Sequence, residues 1–230
     1  GCAGSQHYAS HFGGDQPCTY RGIQQAFYAG LNAAASGYSN WGSDIGGLGG
    51  VPSDELYVRW LQYSTFSPFM RAHSQSLEKM REPWEFGDLA VEQFKKLYWW
   101  RENMLDYIYS AAIFNHKTGT PIMRAMPLVY PQEKAVAHTE DQYFFGSELL
   151  VAPVLIDRTT FKPVYFPKGN WTSLWSGEVT VGGRRLFVSA PLETIPVFLR
   201  EGAILPLTLP KETLAPCENM ETVEKTAALM

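Results

Sequence analysis

Three short stretches in the first third of the sequence carry side chains suited to acid–base and hydroxyl chemistry. The first is His11-Phe12-Gly13-Gly14-Asp15. Paired glycines let the backbone turn sharply and present the next side chain into a cleft. A carboxyl held there can act as a general acid if an apolar neighbour such as Phe12 raises its pKa. The second is Asn40-Trp41-Gly42-Ser43-Asp44-Ile45-Gly46-Gly47, in which Asp44 stands where a strand-like run gives way to a glycine-rich loop. The third is Ser67-Pro68-Phe69-Met70-Arg71-Ala72-His73. If it is a strand, Arg71 and His73 alternate onto one face, which sets a cation beside a neutral donor. Each stretch taken alone also fits a plainer role: a turn for Gly-Gly-Asp, a capping or turn residue for Asp44, a structural ion pair for Arg71.

The elements that must position these groups follow from periodicity. Ile23, Ala26, Phe27, Leu31 and Ala34 form one apolar stripe over 20–36, which predicts a helix closed by Gly37. Ser53 is placed to cap a second helix, with Asp54 and Glu55 in its first turn. A long third helix is predicted over 89–116, stopped by Gly119 and Pro121. Short strand-like runs at 37–41, leading into Asp44, and at 69–71 separate the helices. This strand–loop–helix rhythm is that of a parallel α/β fold. About three units are visible, too few to close a (β/α)8 barrel of about 250 residues.

Beyond residue 120 the pattern changes. Strand-like runs at 121–130, 142–155, 163–166, 172–175, 184–189, 197–199 and 203–207 are separated by turns such as Lys168-Gly169-Asn170 and Gly182-Gly183. That spacing predicts an antiparallel β-sandwich.

Composition excludes more than it assigns. The net charge of -4 and 18% charged residues leave no basic footprint for nucleic acid. No apolar stretch approaches the roughly 20 residues of a membrane span. Cys2, Cys18 and Cys217 are too few and too scattered for a disulfide framework or a zinc site. The sequence opens Gly-Cys-Ala-Gly, with neither an initiator Met nor a leader-like apolar run.

The three stretches, in this order and spacing, resemble glycoside hydrolase family 31. Its pattern runs His-Trp-Gly-Gly-Asp, then Trp-(x)-x-Asp-Ile-Gly-Gly-Phe, then Pro-Phe-x-Arg-x-His. Arg81-Glu82-Pro83-Trp84, Gly119-Thr120-Pro121-Ile122-Met123-Arg124 and Asp141-Gln142-Tyr143-Phe144-Phe145-Gly146 are similar to later blocks of the family. So are Trp171-Thr172-Ser173-Leu174-Trp175-Ser176-Gly177 and Ile195-Pro196-Val197-Phe198-Leu199-Arg200-Glu201-Gly202.

The resemblance implies the C-terminal part of a (β/α)8 barrel over residues 1–119, a proximal C-terminal β-sandwich over 120–208, and a tail or truncated linker over 209–230. It implies a retaining α-glycosidase in which Asp15 is the general acid/base. Asp44 and His73 would bind sugar hydroxyls, Arg71 would position the acidic groups, and Trp41 would line the same pocket. Phe12 stands where the family usually has Trp, so the stacking surface beside the acid is smaller. The family's nucleophile lies in a Trp-x-Asp-Met-x-Glu motif, and this sequence has none. The expected partners are therefore an oligosaccharide or glycoside substrate and the rest of the barrel, with no cofactor, metal, nucleic acid or membrane. An α-xylosidase or α-glucosyltransferase would use the same residues. A non-catalytic sugar-binding protein or pseudoenzyme remnant is the alternative from another class.

Overall fold

The computed structural model describes residues 2, 4–75 and 80–208. The tail expected over 209–230, with Cys217, lies outside the described residues. The first half is β1 (His11–Phe12), α1 (Tyr20–Ala35), β2 (Trp41–Asp44), α2 (Asp54–Thr65) and β3 (Phe69–Arg71). The strands form a three-stranded sheet in the order β1-β2-β3, and both pairings are parallel. Phe12 pairs with Gly42, Gly42 with Phe69, and Asp44 with Arg71.

Local chemistry sets the helices as predicted. The stripe Ile23, Ala26, Phe27, Leu31 and Ala34 is buried. Thr19 caps α1 by accepting from the Gly22 N–H, and Ser53 caps α2 by accepting from Leu56 N–H at 3.3 Å. The strand-like run read at 37–41 lies further on, at Trp41–Asp44. The predicted long helix is two: α3 (Asp88–Asn103) and α4 (Leu105–Thr118), broken at Met104. At the break the Asn103 carbonyl accepts from Thr208 N–H, a donor outside the helix, at 3.1 Å.

The second half is β-rich. A six-stranded sheet runs in the order β4 (Met123–Ala125), β5 (Tyr143–Phe145), β6 (Leu149–Val151), β11 (Val197–Arg200), β8 (Asn170–Ser173) and β9 (Val179–Val181). β7 (Phe161–Phe166) and β10 (Arg184–Ser189) form a second, antiparallel pair. Several expected strands differ. The run over 121–130 gives only β4 and then α5 (Met126–Val129), where Pro127 suits a first helical turn. The run over 142–155 is a hairpin folded at Gly146, φ +65°, where a Cβ would lie 2.1 Å from the Tyr107 hydroxyl. Residues 203–207 are irregular, although Ala203 and Leu205 are buried.

One apolar cluster joins α1, α2, α3 and α4 to alternate residues of the six-stranded sheet, including Tyr143, Phe145, Leu149, Val151, Val197 and Leu199. The intervening residues Phe144, Leu150 and Phe198 pack against Val164 and Phe166 of β7 in a second cluster.

Candidate active site

Strand parity decides which side chains meet. In β2, Trp41 and Ser43 face the helices. The Trp60 indole N–H of α2 donates to Ser43 Oγ at 3.1 Å, and the Trp41 ring lies against Gly30 of α1. Gly42 and Asp44 therefore face the other side. The register sets Phe12, Phe69 and Arg71 beside them.

On that face Arg71 grips Asp44 with two donors, Nε to Oδ1 at 2.5 Å and an Nη to Oδ2 at 3.1 Å. Such forked pairs are strong and fix orientation. The Asp44 side chain is 2% exposed and that of Arg71 49%. The guanidinium also lies 4.6 Å from the centre of the Phe12 ring, a cation–π contact. The hydrogen bond that Arg71 donates to Asp44 raises its pKa above the usual value against partial desolvation. The charges of Asp44 and Asp15 add to it.

Asp15 is exposed and follows Gly14, whose φ is +88°. Its turn is tied down on both sides. Gly13 N–H donates to Gly42 O at 2.8 Å, which continues the β1–β2 ladder, and a Cβ on Gly13 would lie 2.4 Å from the Trp41 ring. Gln16 donates its side-chain amide to Gly13 O and accepts Leu48 N–H on its own carbonyl at 2.9 Å. The turn carrying Asp15 is thereby fastened to the loop that follows Asp44.

The other expected site residues lie apart from this pair. Trp41 is 4% exposed and packs in the core below the Gly13 turn, because its parity points it to the helices. β3 ends at Arg71, so the alternation that would set His73 beside it is not kept. His73 is exposed and lines a separate hollow with Arg81 and Trp84.

Two residues of the site's framework escape hydrophobic patterning: Gln16 and Arg81. Arg81 is 3% exposed and donates to the carbonyls of Gly47 and Gly50, clamping the loop after Asp44. The only hint in the sequence is that a charged residue opens a Pro-containing block. Among the described residues, no group of three or more His, Cys, Asp or Glu is placed to hold a metal ion.

Comparison with known proteins bears on this arrangement. The family model described as "Glycosyl hydrolases family 31 TIM-barrel domain" matches residues 1–111, and "Glycosyl hydrolase family 31 C-terminal domain" matches 119–205. The chain is 34% identical over 207 residues to "Alpha-glucosidase 2" of Bacillus thermoamyloliquefaciens, covering 90% of this chain and 26% of that protein. It is 38% identical to an "Alpha-xylosidase" of Saccharolobus solfataricus, covering 89% of this chain and 29% of that one. A cycloalternan-forming enzyme from Listeria monocytogenes, solved with a pentasaccharide substrate, superposes with a TM-score of 0.86 at 36% identity. That match covers 89% of this chain and 20% of the solved one. The chain thus spans between a fifth and a third of the length of these relatives.

Proposed function

The chain belongs to glycosyl hydrolase family 31, and on that premise we propose that it supplies the acid/base half of a retaining α-glycosidase site for terminal α-linked glucose. In this reading residues 1–119 are the last part of the barrel and 120–208 the sandwich that supports it. The observation that carries the proposal is the forked Asp44–Arg71 pair on the face shared with Phe12, with the Asp15 charge reaching Arg71.

Asp44, with a side chain only 2% exposed, is held as an acceptor for sugar hydroxyls. Arg71 keeps that carboxylate oriented and braces it toward Asp15, with Phe12 behind the guanidinium. Asp15 is exposed on a sharply turned backbone, open to the leaving oxygen of a bound glycoside. In the first step its carboxylic acid protonates that oxygen while a carboxylate nucleophile, about 5–5.5 Å away, attacks the anomeric carbon. In the second step the Asp15 carboxylate takes a proton from water, which releases the sugar from the nucleophile with retained configuration. No residue of this sequence fits the nucleophile motif, so the second carboxylate comes from earlier barrel strands. His73 adds a proposed sugar contact through the flank beyond β3, while Trp41 supports the Asp15 turn from the core.

Activity tests the assignment. The 230-residue chain is expected to show no turnover of 4-nitrophenyl α-glucoside. Fusing the earlier barrel strands of the Bacillus relative ahead of residue 1 should give a hydrolase, and Asp15→Asn in that fusion should lose it. A folded fusion in which Asp15→Asn retains full activity would remove Asp15 from the mechanism.

A further inference from the structure

Arg124 is a half-buried cation with most of its hydrogen bonds unmade. It lies on β4, where the chain passes from α4 into the six-stranded sheet. A guanidinium carries five N–H donors. Among the described residues only its Nε is engaged, donating to Pro121 O at 2.8 Å. Its Cζ lies 5.6 Å from the centre of the Phe114 ring on α4, a cation–π contact that uses no N–H donor. Glu148 acts on Arg124 through charge alone. The Glu148 oxygens are taken by the Arg200 fork, at 2.8 and 3.0 Å, and by Ser147 Oγ at 2.7 Å. Two guanidinium groups against one carboxylate leave the neighbourhood positive. Burial lowers the Arg124 pKa from its usual value; Tyr107 and Glu148 oppose this, and the Arg200 charge adds to it.

Arg124 also lines a hollow of about 290 Å³, at the lower end of the range for small-ligand sites. Ala111, Phe114 and Ile204 give it an apolar wall, with Phe114 48% and Ile204 70% exposed. The Tyr107 hydroxyl, also in the lining, is engaged on both sides: it donates to Phe145 O at 2.7 Å and accepts Glu148 N–H at 3.1 Å. The unused donors of the hollow are therefore those of Arg124. None of these residues belongs to the Asp44–Arg71 site.

From this arrangement we infer that the hollow binds a short monocarboxylic acid in its ionised form, with the carboxylate on the free Nη edge of Arg124 and the hydrocarbon end against Phe114 and Ile204. A planar carboxylate matches the fork of a guanidinium. A half-buried charge without a partner is costly, and a bound anion removes that cost. A neutral sugar would leave the charge unbalanced. Inorganic phosphate would leave the apolar wall unused and meet more repulsion from Glu148, as would a second carboxylate. Phe114 stands on α4 and Ser147 and Glu148 in the β5–β6 turn. An occupant thus bridges the helical layer and the sheet, and stabilises the folded chain by mass action.

Calorimetry and thermal unfolding of the 230-residue chain test this, with butyrate, acetate, succinate, inorganic phosphate and the neutral butyramide, each against sodium chloride of equal ionic strength. Butyrate should bind saturably and raise the melting temperature. It should bind roughly tenfold more tightly than acetate, the effect of burying its two further CH₂ groups. Succinate and phosphate should bind more weakly than butyrate, and butyramide not at all. Arg124→Gln should abolish butyrate binding, and Arg124→Lys, which keeps the charge without the fork, should weaken it. Ile204→Glu alters a largely exposed side chain, so it should leave the melting temperature unchanged and lose butyrate binding at least tenfold; it keeps the test decisive if Arg124→Gln does not fold. No saturable butyrate binding would overturn the site. So would equal binding of butyramide, tighter binding of phosphate, or butyrate affinity that survives Arg124→Gln or Ile204→Glu.

Discussion

The six-stranded antiparallel sheet and the three-stranded parallel sheet treat their two faces differently. In the antiparallel sheet, Tyr143, Phe145, Leu149 and Val151 face the helices, and Phe144, Leu150 and Ala152 face β7, all of them 0% exposed. Alternation along each strand fills two cores at once. The parallel sheet covers only the face that holds Trp41 and Ser43. Its other face leaves Phe12 46% and Phe69 42% exposed. Parallel sheets are ordinarily covered on both sides. The residues proposed for chemistry all belong to the uncovered side or its loops. Stability and the proposed function are thus divided between two sheets that share one helical layer.

Paired truncations should expose this division most strongly. Phe144→Ala opens a cavity between the sandwich layers and should cost about 3–5 kcal/mol in urea unfolding. Phe12→Ala, on the open face, should stay within about 0.5 kcal/mol, as surface changes usually do. Comparable losses at the two positions would erase the contrast.

Arg59 ties the halves together. It is 2% exposed and donates to the carbonyls of Thr159, Ala190, Pro191 and Thr194, reaching from α2 into the sandwich loops. Arg59→Met strands those buried acceptors and should cost about 3 kcal/mol. Its unfolding should stay a single transition if the shared helical layer couples both sheets; two resolved transitions would show that Arg59 alone coupled them.

Smaller effects belong to the ion pairs. Arg71→Ala deprives the buried Asp44 of both its donors and should cost about 1–3 kcal/mol. Asp44→Asn should cost less, since the half-exposed Arg71 can turn to solvent. The reverse order, read from chemical denaturation, would mean that Asp44 has other support. Glu148 should give the smallest change. Burial pushes its pKa up, but hydrogen bonds from Arg200 and Ser147, with the charges of Arg200 and Arg124, outweigh this and hold it below the usual value. A depressed carboxylate pKa adds stability above its unfolded value of about 4.3, and that stability is lost as pH falls through the folded pKa. Glu148→Gln should therefore lose under about 1 kcal/mol at pH 7, because Arg200 is half-exposed to screening solvent, and the difference should fade in acid. A gap that widens on acidification would contradict the sign.

What the sequence disclosed and what it hid follow the range of the interactions concerned. The apolar stripe of α1 and the Ser53 cap are local, and both were legible. Asp44 and Arg71 were legible as candidates from their motifs, although only the β2–β3 register shows that they meet. The break at Met104 coincides with a donor from Thr208, about a hundred positions away, which no local pattern carries. Trp41 and His73 sit apart from the Asp44–Arg71 pair for one reason: side-chain direction depends on where a strand starts and stops. β2 starts at Trp41 and β3 stops at Arg71, neither of which periodicity fixes. Arg81 and Gln16 left no hydrophobic signal, because each is a buried polar side chain that donates to backbone carbonyls.

The role of Asp15 is tested most directly by comparing leaving groups in the fused, active protein. Asp15→Asn should slow the first step on maltose, whose leaving sugar needs protonation, by about 10²–10⁴-fold. On 2,4-dinitrophenyl α-glucoside, whose leaving group departs unprotonated, the same step should slow far less. Equal losses on both substrates under glycosylation-limited conditions would show that Asp15 is a turn residue and not the acid.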